Sequence, residues 1–303
     1  MRNISRLTGW RRTLTVALAV IVPASIAVAT SPQASALAKI KCKQTVGVAS
    51  VDPIMFHNQT TTMAHSHQFF GNNGWLPLGN KANYADLMSK STNCRITGDT
   101  AGYWTPTLRY TVTKKEIPVQ AFTAYYRPFT GVGGPDFGPG LAFPQDTRLV
   151  ASKHSWTCGQ YMPVAPAQSV PDCRGADGSA GKTLTLHIDF PNCWDGVRPL
   201  HYTTAVGNTS DNAHYAYSTS SKGVVSCPSG FPYKMISLRE TLQFQYIGAG
   251  TDVEMSSDPM MGKTDGASAH GDFWNTWQPT ALASMVKNCI SGTGLYTVAQ
   301  CDA

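Results

Sequence analysis

Alternation of apolar and polar residues dominates the middle of the chain. It is clearest in Tyr103-Trp104-Thr105-Pro106-Thr107-Leu108-Arg109-Tyr110-Thr111-Val112, in Thr183–Phe190 and in Thr241–Tyr246. Successive side chains of a strand point to opposite faces, so each segment predicts a strand with one face on a core and the other toward solvent or a partner sheet. Helical spacing is confined to Tyr84–Lys90 and to Thr280–Asn288, where Leu282, Met285, Val286 and Cys289 fall on one stripe. Glycine and proline cluster at Gly131–Gly140 and Pro163–Gly181, which read as long surface loops. The pattern predicts a mainly β fold, a two-sheet sandwich with long loops and a C-terminal helix.

The first 38 residues carry a different pattern. Arg2, Arg6, Arg11 and Arg12 precede an apolar run from Leu14 to Ala29, and a polar stretch then ends in small residues. This is the layout of a secretory signal peptide. Ala34-Ser35-Ala36 and Ala36-Leu37-Ala38 both fit cleavage, so the expected mature chain, one globular domain over 39–303, begins at Leu37 or Lys39. A retained anchor needs about 20 apolar residues, and this run is shorter and broken by Pro23 and Ser25. The expectation is a secreted, extracellular protein with no stable membrane insertion.

Removing the signal changes the charge. The whole chain has a formal net charge of +6, and loss of four arginines leaves +2. So weak a field, with no basic cluster beyond Lys39, Lys41 and Lys43, argues against nucleic acid as a partner. All eight cysteines follow the signal. In an exported chain without C-x-x-C pairs, an even count predicts disulfides rather than thiolate metal sites. Cys158 with Cys173 is the preferred pair because it closes a short loop, and Cys193 competes with it.

Candidate chemistry gathers on histidine. His65 and His67 sit at i and i+2, so an extended backbone turns both imidazoles to one side. His270-Gly271-Asp272 repeats the spacing with an imidazole and a carboxylate, and His214 follows Asp211-Asn212-Ala213. Such a set suits a metal site or an acid/base site. His57, His154, His187 and His201 read as structural or exposed. Carboxylates add Asp52, before Pro53, and Asp195, before Gly196, both of which are also common turn formers. With only three glutamates in the chain, a two-carboxylate glycosidase would rest mostly on aspartate. Trp104, Trp194 and Tyr126 are candidates for stacking on sugar rings, although such rings are commonly core material. No G-x-S-x-G elbow, P-loop or dinucleotide fingerprint is present.

Taken in order, Val51-Asp52-Pro53-Ile54, His65-Ser66-His67-Gln68-Phe69-Phe70-Gly71-Asn72, Ala101–Pro106, Phe190-Pro191-Asn192-Cys193-Trp194-Asp195-Gly196, Cys227-Pro228 and His270–Trp277 resemble the DUF1996 family, secreted fungal and actinobacterial proteins named for having no assigned function. The resemblance spans roughly residues 50–290 and is specific as a set. It implies a shared site built on the His-x-His, Cys-Trp-Asp-Gly and His-x-Asp-Phe elements. Where the family pattern has an Asp-His pair followed by another His, this chain reads Asp211-Asn212-Ala213-His214, so a group supplied by the middle histidine is missing.

Three functions follow as expectations. The first is a polysaccharide-active enzyme, a glycoside hydrolase in preference to a lyase, acting on a cell-wall or extracellular glycan. His67, His270 and Asp272 would act in acid/base roles, Asp195 or Asp52 as a second carboxylate, and Trp104, Trp194 and Tyr126 against the substrate. The second is a zinc- or copper-binding protein or metalloenzyme with His65, His67, His214 and His270 as ligands. The third is a non-catalytic glycan-binding wall protein.

Overall fold

The computed structural model describes residues 37–43, 45–60, 64–129, 140–159, 167–175, 181–201, 204–291 and 298–302. The signal segment up to residue 36, residues 131–139 of the first glycine- and proline-rich stretch, and residues 163–166 and 176–180 of the second lie outside the described residues.

Ten strands form two five-stranded antiparallel sheets. The first runs Ala38–Cys42, Val119–Arg127, Ser237–Phe244, Leu184–Asp189 and Lys153–Cys158. The second runs Gly47–Ala49, His67–Gly71, Gly102–Pro106, Gly271–Trp274 and Arg148–Ala151. The chain passes from one sheet to the other at Ser152, between the last strand of each. The expected sandwich is therefore present, as is the C-terminal helix, Pro279–Met285 followed by a π turn over Val286–Ile290.

Alternation explains how the sheets meet. Phe122, Ala124 and Tyr126 of the first sheet face Phe70, Tyr103 and Phe273 of the second in one buried cluster. Phe70 stacks on Phe122 with ring centroids 4.4 Å apart, and Tyr103 Oη lies 2.7 Å from Tyr126 Oη.

The other face of the second sheet departs from the expected polar exposure. The strands His67–Gly71 and Gly102–Pro106 are buried at every position. A turn over Pro53–Phe56 and the helices Trp75–Leu78 and Tyr84–Met88 cover that face, where Ile54, Phe69, Trp75, Leu87, Trp104 and Trp274 form a second core. Gly102 permits this cover, because a Cβ there would lie 1.8 Å from the Trp75 ring. Polar residues that alternation assigns to solvent are consequently buried.

All eight cysteines are paired, as Cys42–Cys94, Cys158–Cys173, Cys193–Cys227 and Cys289–Cys301. The pair expected from loop length is among them. No described helix is long and apolar enough to cross a membrane.

Candidate functional site

His67 opens its strand opposite Pro106, two places along from the pair Phe69 and Trp104. Asp272 lies opposite Trp104 on the next strand, and His270 immediately precedes that strand. Pleating thus points His67, Asp272 and His270 to the covered face, at one end of the second core. His65, on the approach to the strand, turns in beside them, with its ring centroid 4.3 Å from that of His67 and 5.1 Å from that of His270.

His65 Nε2 and His270 Nε2 are 3.3 Å apart. Two of the rings have their other nitrogen fixed by backbone: His67 Nδ1 lies 2.9 Å from Val51 O, and His270 Nδ1 lies 2.9 Å from Ser268 O. A carbonyl can only accept, so both Nδ1 atoms carry the proton and donate, which leaves each Nε2 with a bare lone pair. His67 Nε2 is buried without a hydrogen-bond partner among the described residues. Each of the three histidines offers a nitrogen within 4.8 Å of the others, and among the described residues this is the one group of three or more side chains so placed.

The electrostatics favour neutral rings. Burial, then the neighbouring His270 and Arg109, push His65 down to about 3. His67 is held well below its ordinary value by burial and by the other two histidines, and burial also lowers His270. Asp272 lies beside the group, with Oδ2 3.9 Å from His270 Nε2, and is not one of the three mutually close ligands. Neither of its buried oxygens has a partner among the described residues, and burial pushes its carboxyl well above the carboxylate range.

The remaining sequence candidates are distributed differently. Asp52 caps the covering turn, its Oδ1 accepting from the N–H groups of Ile54 and Met55, and burial raises it to about 6. Asp195 and His214 pair with each other, Oδ2 to Nδ1 at 2.8 Å, and His214 is not in the histidine cluster, so it is no ligand there. Trp104 and Tyr126 are fully buried in the two cores, which leaves neither ring a face for a sugar. Trp194 is partly exposed and lines a separate cleft.

Sequence reasoning also missed several residues. Asp258 Oδ1 accepts from Ser268 N–H and Oγ, and its Oδ2 accepts from Gly266 N–H and Met255 N–H, which fixes the segment leading to His270. Its setting, Ser257-Asp258-Pro259, reads as an ordinary turn. His201, which the sequence reads as structural or exposed, lines the same cleft as Trp194.

A family model described as Domain of unknown function (DUF1996) matches residues 52–277. No curated protein and no solved structure matches the chain.

Proposed function

For a chain that belongs to the DUF1996 family, whose description names no activity, we propose a function from the site itself: an extracellular protein that holds one transition-metal ion, zinc or copper, on His65, His67 and His270. The observation that carries this reading is the convergence of three imidazole nitrogens from distant parts of the sequence, two of them oriented by Nδ1–H bonds to backbone carbonyls. Metal-binding histidines are oriented in that way.

The spacing supports it too. Nitrogens 2.0–2.1 Å from a tetrahedral ion lie about 3.3 Å from one another, and His65 Nε2 to His270 Nε2 measures 3.3 Å. A cation also supplies the positive charge that the buried, unpartnered Asp272 lacks. His65 and His270 are the partly exposed members, so a remaining coordination position would open toward solvent. His65, His67 and His270 would hold the ion as neutral imidazoles, and the chemistry it would supply there is a water of lowered pKa, which makes hydrolysis the reaction class the site suits. In that chemistry Asp272, beside His270 and raised by burial, would hold a proton.

The test is elemental analysis of the exported, disulfide-intact protein made without a histidine tag and dialysed against zinc or copper. Close to one equivalent is expected, with loss in His65→Ala and in His270→Ala. Less than about a tenth of an equivalent in the wild type would remove the reading.

A further inference from the structure

The motif around Cys193 takes no part in the histidine cluster, yet it builds the wall of a cleft of about 510 Å³. Three segments meet there, from Pro144–Thr147, Trp194–His201 and Asp211–Tyr215. The Trp194 ring is held by its Nε1–H, which donates to Val197 O at 2.8 Å, and it stacks on Tyr215 with an interplanar angle of 20°. A flat aromatic surface is thus fixed at the side of the cleft.

The polar lining is mixed in sign. Asp146 is anchored by Arg148 and by Trp274 Nε1–H, the latter at 2.7 Å. Asp211 uses Oδ2 to accept from Arg148 N–H, while its Oδ1 faces His201 Nε2 at 2.9 Å, close enough for an ion pair but not aligned as a hydrogen bond. Neither Asp211 Oδ1 nor His201 Nε2 has another partner among the described residues, and Asp211 is only 3 % exposed. Arg198 is exposed and reaches over to Gln145 O at 3.3 Å.

Two carboxylates are therefore set against Arg198 and the buried Arg148, which leaves no dominant charge to select an anionic or cationic ligand. What remains is a fixed aromatic face beside side chains that accept and donate. Pyranose rings present that complement, with apolar C–H faces and hydroxyls that both donate and accept.

We propose that this cleft binds the sugar rings of a neutral polysaccharide, with Trp194 as the stacking platform, Asp146 and Arg198 on the hydroxyls, and the buried Asp211–His201 pair fixing the wall behind them. It is a different site from the histidine cluster. Four residue steps separate His270 from Trp274, about 13 Å at the usual rise, and the second core fills the interval.

The experiment is titration of the exported, disulfide-intact protein with cello-, xylo-, laminari-, manno- and chito-hexaoses, followed by calorimetry and tryptophan fluorescence. At least one should bind, and Trp194→Ala should weaken it by about tenfold or more, the equivalent of roughly 1.4 kcal/mol. Arg198→Ala, an exposed substitution that leaves the cores intact, should weaken the same ligand. Chelated and metal-loaded protein should bind alike, so loss of the metal reading would leave this one standing. The proposal is overturned if no hexaose binds, if both variants bind as the wild type does, or if polygalacturonate is strongly preferred over every neutral sugar.

Discussion

A single carboxylate, Asp258, accepts three hydrogen bonds from the chain that leads into His270 and a fourth from Met255 N–H. It does not touch the histidines. Its effect passes through Ser268, whose carbonyl receives the His270 Nδ1–H. Outer groups of this kind typically change metal affinity 10–100-fold. Asp258→Ala should therefore lower zinc affinity by about tenfold in competition with a chelating dye. Asp258→Asn, which keeps the shape, should recover part of the loss, and equal affinity in all three proteins would show that Ser268 holds the ring unaided. Glu240 is a second informative residue. It faces the intersheet core between Leu238 and Leu242, with neither oxygen partnered among the described residues, and burial raises it well above its usual value of 4.5. A raised carboxyl contributes stability that is fully present below the unfolded value and is lost as pH rises through the folded one. Glu240→Gln should accordingly reduce the fall in unfolding temperature as pH rises above the unfolded glutamate value of 4.5. An unchanged slope would mean that Glu240 is not the group responsible.

The same glutamate explains what could be read at the level of elements. Alternation marks the strand only from Thr241, whereas it begins at Ser237, because a charged residue occupies an inward position and breaks the pattern. Helix Tyr84–Met88 was legible, and Asn83 caps it by accepting from Asp86 N–H. Helix Trp75–Leu78 was not, since four residues cannot express a helical period. The histidine cluster was legible in outline because i, i+2 spacing survives burial of the whole strand. Its separation from Asp195 and His214 was hidden, as was the cleft drawn from three distant segments. Burial of Trp104 and Tyr126 also escaped, because alternation does not reveal a cover added to the second face. That cover makes a prediction of its own. Gly102→Ala should displace Trp75 and cost about 1–3 kcal/mol, the usual penalty for overpacking, in a urea unfolding series. A cost near zero would mean that Trp75 shifts freely.

Across the whole molecule, two sets of buried groups bias stability in opposite directions with pH. His65, His67 and His270 have lowered values, so their contribution is present above the unfolded value of 6.5 and is lost as pH falls through the folded values, about 3 for His65. Asp99, raised to about 8 by burial, acts with Glu240 and Asp272 in the other direction, from the unfolded carboxylate values upward. The metal-free protein should be most stable between about pH 4.5 and 6.5. Bound metal should raise the unfolding temperature most above this window, because protons compete for the same nitrogens below it. Calorimetry across pH with and without chelator checks both statements, and identical curves would contradict the metal reading. The disulfides have a further consequence in a setting rich in proteases. Each bridge encloses a stretch of chain, the one from Cys158 to Cys173 spanning 15 residues and the one from Cys193 to Cys227 spanning 34. One cut inside either stretch divides the polypeptide but leaves its two pieces covalently joined, with strands of both sheets on either side of the nick. A clipped molecule would then migrate as one band until it is reduced, and it would retain the sandwich on which both sites are built.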